Sequence, residues 1–292
     1  MVVLLSGGTG GAKLARGMLD VLGDELTVIA NTGDDLEIYG AHVSPDPDLV
    51  TFWLADRIDE RGWGLADDTF HVMDGLRALG DDVWFNLGDR DMAVCIRRAR
   101  RLAEGARLTE AIDEQRRALG VAARVLPMCD EPVGTYIRNA DGWYHLQEFM
   151  IRARAKGPVN GVEFRGAENA RLTPEIRAAL ATADAIVIGP SNPVISIGPI
   201  LAVPGFTAAL RAPVIAVSPL VRGKVLKGPT DAFLAWAGHP LSADGIAALY
   251  EGVIDRLVAD ERATSVPTLV TDVEMADAAG RRRVAEAVLG FA

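Results

Sequence analysis

The chain reads as an α/β protein, a doubly wound, mostly parallel Rossmann-like sheet with a small inserted mixed subdomain. Three observations predict this. Short apolar runs at residues 2–5, 26–30, 185–189 and 214–217 alternate with segments of helical periodicity. Such runs suit strands buried on both faces, as a parallel sheet covered by helices requires. Loops of glycine, proline, small polar residues and carboxylates follow one strand after another, where ligands of such sheets bind.

The elements follow in order. Residues 2–5 form a strand, and Leu14, Met18, Leu19 and Leu22 mark a helix over 13–22. A strand at 26–30 precedes a helix at 49–61, whose apolar positions include Leu49, Phe52, Trp53 and Ile58. Thr69 caps a helix carrying Phe70, Met73, Leu76 and Leu79, and 83–87 reads as a short strand. Helices at 92–104 and 109–119, parted by Gly105, lead to a strand at 123–128. Residues 130–166 then change character, with short alternating runs at 135–139, 143–147 and 161–164. This piece is read as the inserted subdomain, and 1–129 with 167–292 as the core. Thr173-Pro174-Glu175 starts a helix with proline at its first position. Strands at 185–189 and 214–217, a helix at 250–257, a strand at 267–271 and a helix at 281–289 complete the alternation.

Composition limits the partners. The 292 residues are 49% hydrophobic and 24% charged, enough for a large core. A net charge of −10 disfavours a nucleic-acid or anionic-membrane surface, so any phosphate recognition must be local. Cys95 and Cys129 lie far apart and match no disulfide or zinc spacing. No apolar run approaches the roughly 20 residues of a membrane helix, and the first strand begins without a cleavable leader. The expectation is a cytoplasmic protein acting on small molecules, with a homodimer as the default assembly.

The most informative stretch is Ser6-Gly-Gly-Thr-Gly-Gly-Ala-Lys13, between the first strand and its helix. Outward N–H groups and the helix dipole favour an anion there, and glycine lets the backbone approach a phosphate. Gly8, Thr9, Gly10, Gly11 and Lys13 are the candidate phosphate contacts. The run meets neither the dinucleotide fingerprint, since Lys13 stands where the third glycine belongs, nor the P-loop pattern, since Ala12 and Leu14 replace its second glycine and hydroxyl residue. A tight turn that binds nothing is the plainer alternative.

Other strand ends supply Asn31-Thr-Gly-Asp-Asp35, the turn Ser44-Pro-Asp-Pro-Asp48, Gly88-Asp-Arg-Asp91, Gly189-Pro-Ser-Asn-Pro193, Ser196-Ile-Gly-Pro199 and Ser218-Pro219, followed by Arg222, Lys224 and Lys227. Asp34, Asp35, Asp46 and Asp48 beside a phosphate would repel it unless a cation intervened, and magnesium takes one or two carboxylates plus phosphate oxygens. Asp35 and Asp48 are the favoured metal or base candidates, whereas Asp46 serves equally as a turn residue. Arg90 either grips a phosphate or pairs with a neighbouring Asp. Trp63, between two glycines, could line a slot for a flat ring. His42 lies beside the acidic turn; His71, His145 and His239 show no metal spacing.

These motifs, with Asn86-Leu-Gly-Asp-Arg-Asp91 and Leu126-Pro-Met-Cys-Asp-Glu-Pro-Val133 in order among them, resemble the 2-phospho-L-lactate transferase family of coenzyme F420 biosynthesis. The resemblance runs from Met1 to about the last helix. It implies that a guanosine diphosphate ester of an acid (lactate or enolpyruvate) donates its phospho-acid to the deazaflavin Fo, 7,8-didemethyl-8-hydroxy-5-deazariboflavin. GMP is released and Mg2+ is required. Carried over, Asp48, Asp35 and Arg90 are catalytic, with Asp35 and Asp48 as metal ligands. Asp48, Asn86, Asp89 and Trp63 contact Fo; some relatives carry lysine at position 86. Gly189, Ser191, Asn192 and Ser218 join the glycine loop around the guanosine diphosphate, and Asp130 and Glu131 contact a ligand or brace the pocket. A nucleotide-sugar-binding regulatory protein of a related family is the alternative. A nicotinamide dehydrogenase is disfavoured by the missing third glycine.

Overall fold

A computed structural model describes all residues from Met1 to Ala292. The chain runs β1 (Val2–Ser6), α1 (Gly8–Leu22), β2 (Leu26–Ala30), a hairpin of β3 (Leu36–Ile38) and β4 (Ala41–Val43), α2 (Pro45–Leu54), α3 (His71–Leu79), α4 (Asp89–Ala103), α5 (Leu108–Ala118) and β5 (Arg124–Pro127). Next come β6 (Gly134–Arg138), β7 (Trp143–His145), α6 (Leu146–Ile151), β8 (Gly161–Arg165), α7 (Pro174–Ala181), β9 (Ala185–Ile188), α8 (Gly198–Ala202), α9 (Phe206–Ala209) and β10 (Val214–Val217). The chain closes with β11 (Leu220–Val221), β12 (Lys224–Val225), α10 (Thr230–Trp236), α11 (Ala243–Leu249), β13 (Arg256–Ala259), β14 (Thr268–Val270) and α12 (Ala278–Leu289).

Seven strands form one parallel sheet in the order β14-β13-β10-β9-β1-β2-β5, so the fold is α/β and doubly wound as expected. Alternate residues of β1 feed opposite faces: Val3 and Leu5 join one core, Val2 and Leu4 the other. Ala12 and Leu14 of α1, Val50 of α2, Ile112 of α5 and Val284 of α12 cover the second face. Ile176 of α7, Ile200 of α8 and Ile246 of α11 cover the first. The chain steps from β1 toward β5 on one side and from β9 toward β14 on the other. The crevice beyond the ends of β1 and β9 is therefore the switch point where such folds bind ligands.

The stretch after β5 builds a three-stranded antiparallel sheet, β7-β6-β8. It is tied to the core where Thr135 N–H donates to the Gly33 carbonyl (2.6 Å) and Gln147 Nε2 to Asp34 (2.9 Å).

Four local expectations need correction. The glycine run is not a separate loop: α1 begins at Gly8, five residues before the expected start. Pro45 likewise opens α2, which ends at Leu54 rather than at 61, so Asp46 and Asp48 stand in the first turn of a helix rather than in a turn. Residues 83–87 form no strand, because their apolar side chains pack into a side cluster with Met73 and Met92 where no strand offers a pairing edge. The helix expected at 250–257 ends instead at Leu249, and β13 starts at Arg256. Gly252, with φ of 73°, turns the chain between them.

Candidate functional site

Close packing explains the glycines. A Cβ on Gly10 would strike the Pro190 carbonyl, and one on Gly11 would meet the Ser6 and Ser191 hydroxyls. Gly189 presses its backbone on Gly11, where a Cβ would lie 3.1 Å from the Gly11 Cα. The starts of α1 and of the loop after β9 thus interlock backbone against backbone at the switch point, a packing only glycine permits. Gly8 holds φ of 63°, the left-handed region that favours glycine. Ser191 Oγ accepts the Gly7 N–H at 3.2 Å, and the Ser6 hydroxyl, fully buried, has no partner.

The acidic corner meets this turn. Asp46 Oδ1 accepts the Gly8 N–H at 2.6 Å, and its other oxygen takes Asn31 Nδ2 at 2.9 Å. Asn31 also reaches Asp34 at 3.3 Å and fixes the Gly33 N–H through its own oxygen. The glycine run and the first turn of α2 therefore share one rim of the sheet. Asp34 and Asp46 are buried, with Asp35 half-buried beside them. Burial and then mutual repulsion drive Asp34 well above the carboxylate range; burial also raises Asp35, and lifts Asp46 to about 6 against its Asn31 and Gly8 hydrogen bonds.

Asp48 is held from behind. Its Oδ1 accepts both Arg98 and Gln115 Nε2 (2.6 Å from the latter). Arg98, 2% exposed, also donates to Gln115 Oε1 (2.7 Å) and to the His42 carbonyl (2.9 Å). The His42 ring bridges Glu37 (2.5 Å) and Asp35 (3.2 Å), residues brought together by the β3–β4 hairpin, and Ser44 Oγ bonds both Asp35 oxygens at 2.8 Å. Burial opposes a charge on His42, but the two carboxylates prevail and raise its pKa.

A cavity of about 490 Å³ opens beside Asp34, Asp46, Asp48 and Asp91, with Phe52, Trp63, Phe85, Leu87 and Ile151 among its walls. It is an apolar slot with an acidic end. A second, wider cavity of about 700 Å³ lies on the other side of the Asp34–Asp35 corner and takes Asp35, Glu37, His42, Asp130, Glu131 and Glu148.

The structure sorts the expected residues. Asp48, Trp63 and Asn86 line the apolar slot together, and Arg61 stacks over the Trp63 ring at 4.4 Å. Asp89 does not: it accepts Thr69 Oγ1 and the His71 and Val72 N–H groups, which makes it the cap of α3. Thr69, expected as that cap, instead donates to Asp89. Arg90 is exposed, with its guanidinium 3.3 Å from the Ala66 carbonyl, and is absent from both cavities. Asp35 faces the wider cavity, while Asp34 shares the slot with Asp48. Asn192 spends its oxygen on the Val194 and Ile195 N–H groups, and Ser218 is buried with its hydroxyl on the Leu220 N–H. Asp130 binds Arg107 and Thr109, a brace between α5 and the small sheet's start.

Three residues went unselected. Asp91, two residues beyond Asp89 and so some 200° around α4, is the acid that reaches the slot. Burial and the Asp48 and Asp68 charges push it up to about 7. Asp46 joins the slot to the glycine run, and Arg98 sits mid-helix with no motif to mark it.

No set of three His, Cys, Asp or Glu converges as a self-sufficient metal site. Crowded, oxygen-only carboxylates whose charge is disfavoured nonetheless fit a hard cation that completes its shell with phosphate oxygens and water.

The family model described as "2-phospho-L-lactate transferase CofD" matches residues 2–288. A 2-phospho-L-lactate transferase of Methanosarcina mazei is 39% identical, covering 89% of this chain and 87% of the relative. A phosphoenolpyruvate transferase of Kitasatospora aureofaciens is 39% identical, covering 94% and 93%. A solved UPF0052-family protein of Bacillus halodurans shares the fold, with TM-score 0.65 at 17% identity over 99% of this chain and 98% of that one. No helix is long and apolar enough to cross a membrane.

Proposed function

The chain belongs to the 2-phospho-L-lactate transferase family, and from that premise we propose that it moves a phospho-acid from a guanosine diphosphate ester, of lactate or of enolpyruvate, onto Fo. One observation carries this reading: Asp46 lines the apolar slot and accepts the Gly8 N–H, so a flat acceptor and a diphosphate would share a wall. Phe52, Trp63 and Phe85 give the slot surfaces for a tricyclic ring. The amides of α1 and Lys13 give the donor an anion cradle.

The ribityl hydroxyl attacks the phosphorus next to the acid. An oxygen–phosphorus bond forms there, the bond to GMP breaks, and the hydroxyl proton passes to a carboxylate of the slot. Asp48, fixed through Oδ1, orients the hydroxyl with its second oxygen, which carries no hydrogen bond. Asp91 accepts protons near neutral pH, where a general base is most effective. Mg2+ would be held by Asp48 with its slot neighbours Asp34 and Asp46 rather than by Asp35, which faces the wider cavity with both oxygens on Ser44, and it would offset charge on the departing GMP.

Mass spectrometry of mixtures of Fo with each donor tests the reading. It predicts an Fo phosphodiester and an equal amount of GMP. Unchanged Fo with every donor, in the presence of Mg2+, refutes it. Because the acids differ by a few atoms, the rates also measure which one the slot prefers.

A further inference from the structure

Two segments from opposite parts of the chain meet over the glycine run. Lys227 Nζ donates to the Arg61 carbonyl at a long 3.4 Å, its sole polar partner. It also lies 3.4 Å from where a Cβ of Gly62 would stand, and the Thr9 methyl is 3.9 Å from that point. Thr9 belongs to the first turn of α1, and Lys13 stands one turn further on. Lys13 is half-buried, and its charge is disfavoured first by that burial and then by Lys227 and Arg281. Neither lysine forms an ion pair, and the Glu274 charge offsets only part of what disfavours Lys13, although the protein carries ten more negative than positive charges. Beneath them the buried Ser6 hydroxyl is unsatisfied. Like charges held together with no ion-pair partner, over the N-terminal turn of α1, are arranged for a multiply charged anion.

We propose that Lys227 is a donor-binding residue, whose ammonium leaves the Arg61 carbonyl to pair with the diphosphate of the bound nucleotide opposite Lys13. Gly223 and Gly228, with φ of 67° and 75°, flank the segment and give it the backbone freedom to follow. The inference rests on the transferase reading and gives a ligand to Lys227, which the sequence placed only among the residues after a strand end.

GDP is the probe, and binding is measured by calorimetry alongside steady-state kinetics. Lys227→Gln should weaken GDP by about 10- to 100-fold, the range of a charge-assisted contact. It should raise the KM for donor with little change in kcat, and flatten the salt dependence of GDP binding. Lys227→Arg should restore most of the affinity, and Lys156→Gln, a remote lysine, should leave it unchanged. Equal GDP affinity in wild type and Lys227→Gln overturns the inference while the donor reading stands. A wild-type protein that takes up no GDP overturns both.

Discussion

Replacing Arg98 by methionine removes one side chain and strands three groups. Asp48 Oδ1, Gln115 Oε1 and the His42 carbonyl all lose a donor inside the protein. Asp48 is 5% exposed and Gln115 6%, so water cannot take the place of the guanidinium. Breaking a buried pair from one side costs roughly 3–5 kcal/mol, because the remaining charge is uncompensated. For a chain of 292 residues, with an unfolding entropy of about 0.6 kcal/mol/K, that is a fall of about 5–8 °C in Tm. Asp48→Ala commits the same error from the other side and leaves Arg98 alone, so loss of activity there would mix chemistry with unfolding. The clean design is a cycle of Arg98→Met, Asp48→Leu and the double variant, read by thermal and urea unfolding. The double variant should recover most of the loss, since an apolar pair in place of a buried ion pair is often neutral. An Arg98→Met protein that melts within about 1 °C of wild type would refute the reasoning, as would strictly additive losses.

Asp91 gives a pH signature. Its folded pKa of about 7 exceeds the ordinary 3.8, so its ionisation costs nothing at low pH and increasingly penalises the fold as pH rises from 3.8 through 7. Asp91→Asn should therefore be more stable than wild type at pH 8, by on the order of 2–4 kcal/mol at most, with the gap closing as pH falls toward 4; a constant gap in Tm across that range contradicts it. Arg107 holds Glu175 down to about 2, so this ion pair's contribution is present above pH 4.5 and lost as pH falls through about 2; Glu175→Gln should flatten the acid limb of the stability curve between those values. Gly10→Ala should drive a methyl against the Pro190 carbonyl and weaken GDP at least about 10-fold in calorimetry while Fo binding persists. Trp63→Ala should weaken Fo by about 10-fold in a fluorescence titration, since one ring face is lost, and unchanged affinity removes Trp63 from the slot.

The sheet was legible because buried parallel strands announce themselves as short apolar runs, and their ends carried the glycines and acids. What stayed hidden depends on direction in space. Asp89 and Asp91 both sit in the first turn of α4, and only the packing of Met92 and Cys95 inward decides which of them faces the slot. Arg98 reads as one of five arginines in that helix, and nothing local says that it turns inward to Asp48. At 250–257, Tyr250, Val253, Ile254 and Leu257 have helical spacing, yet they straddle a turn at Gly252 and serve a helix end and a strand. The acidic turn was legible as a pair of carboxylates, but not that Asp46 spends one oxygen on the glycine run.

In the proposed reaction Asp48 acts from a fixed position between acceptor and donor. GMP release by Asp48→Asn tests this most directly, since the amide keeps an oxygen for Arg98 and Gln115 but no negative charge. The expected result is retained binding of Fo and GDP with GMP release lower by about 100-fold or more, the scale of losing the group that positions the attacking hydroxyl. Release at the wild-type rate by a variant that binds both ligands would contradict it.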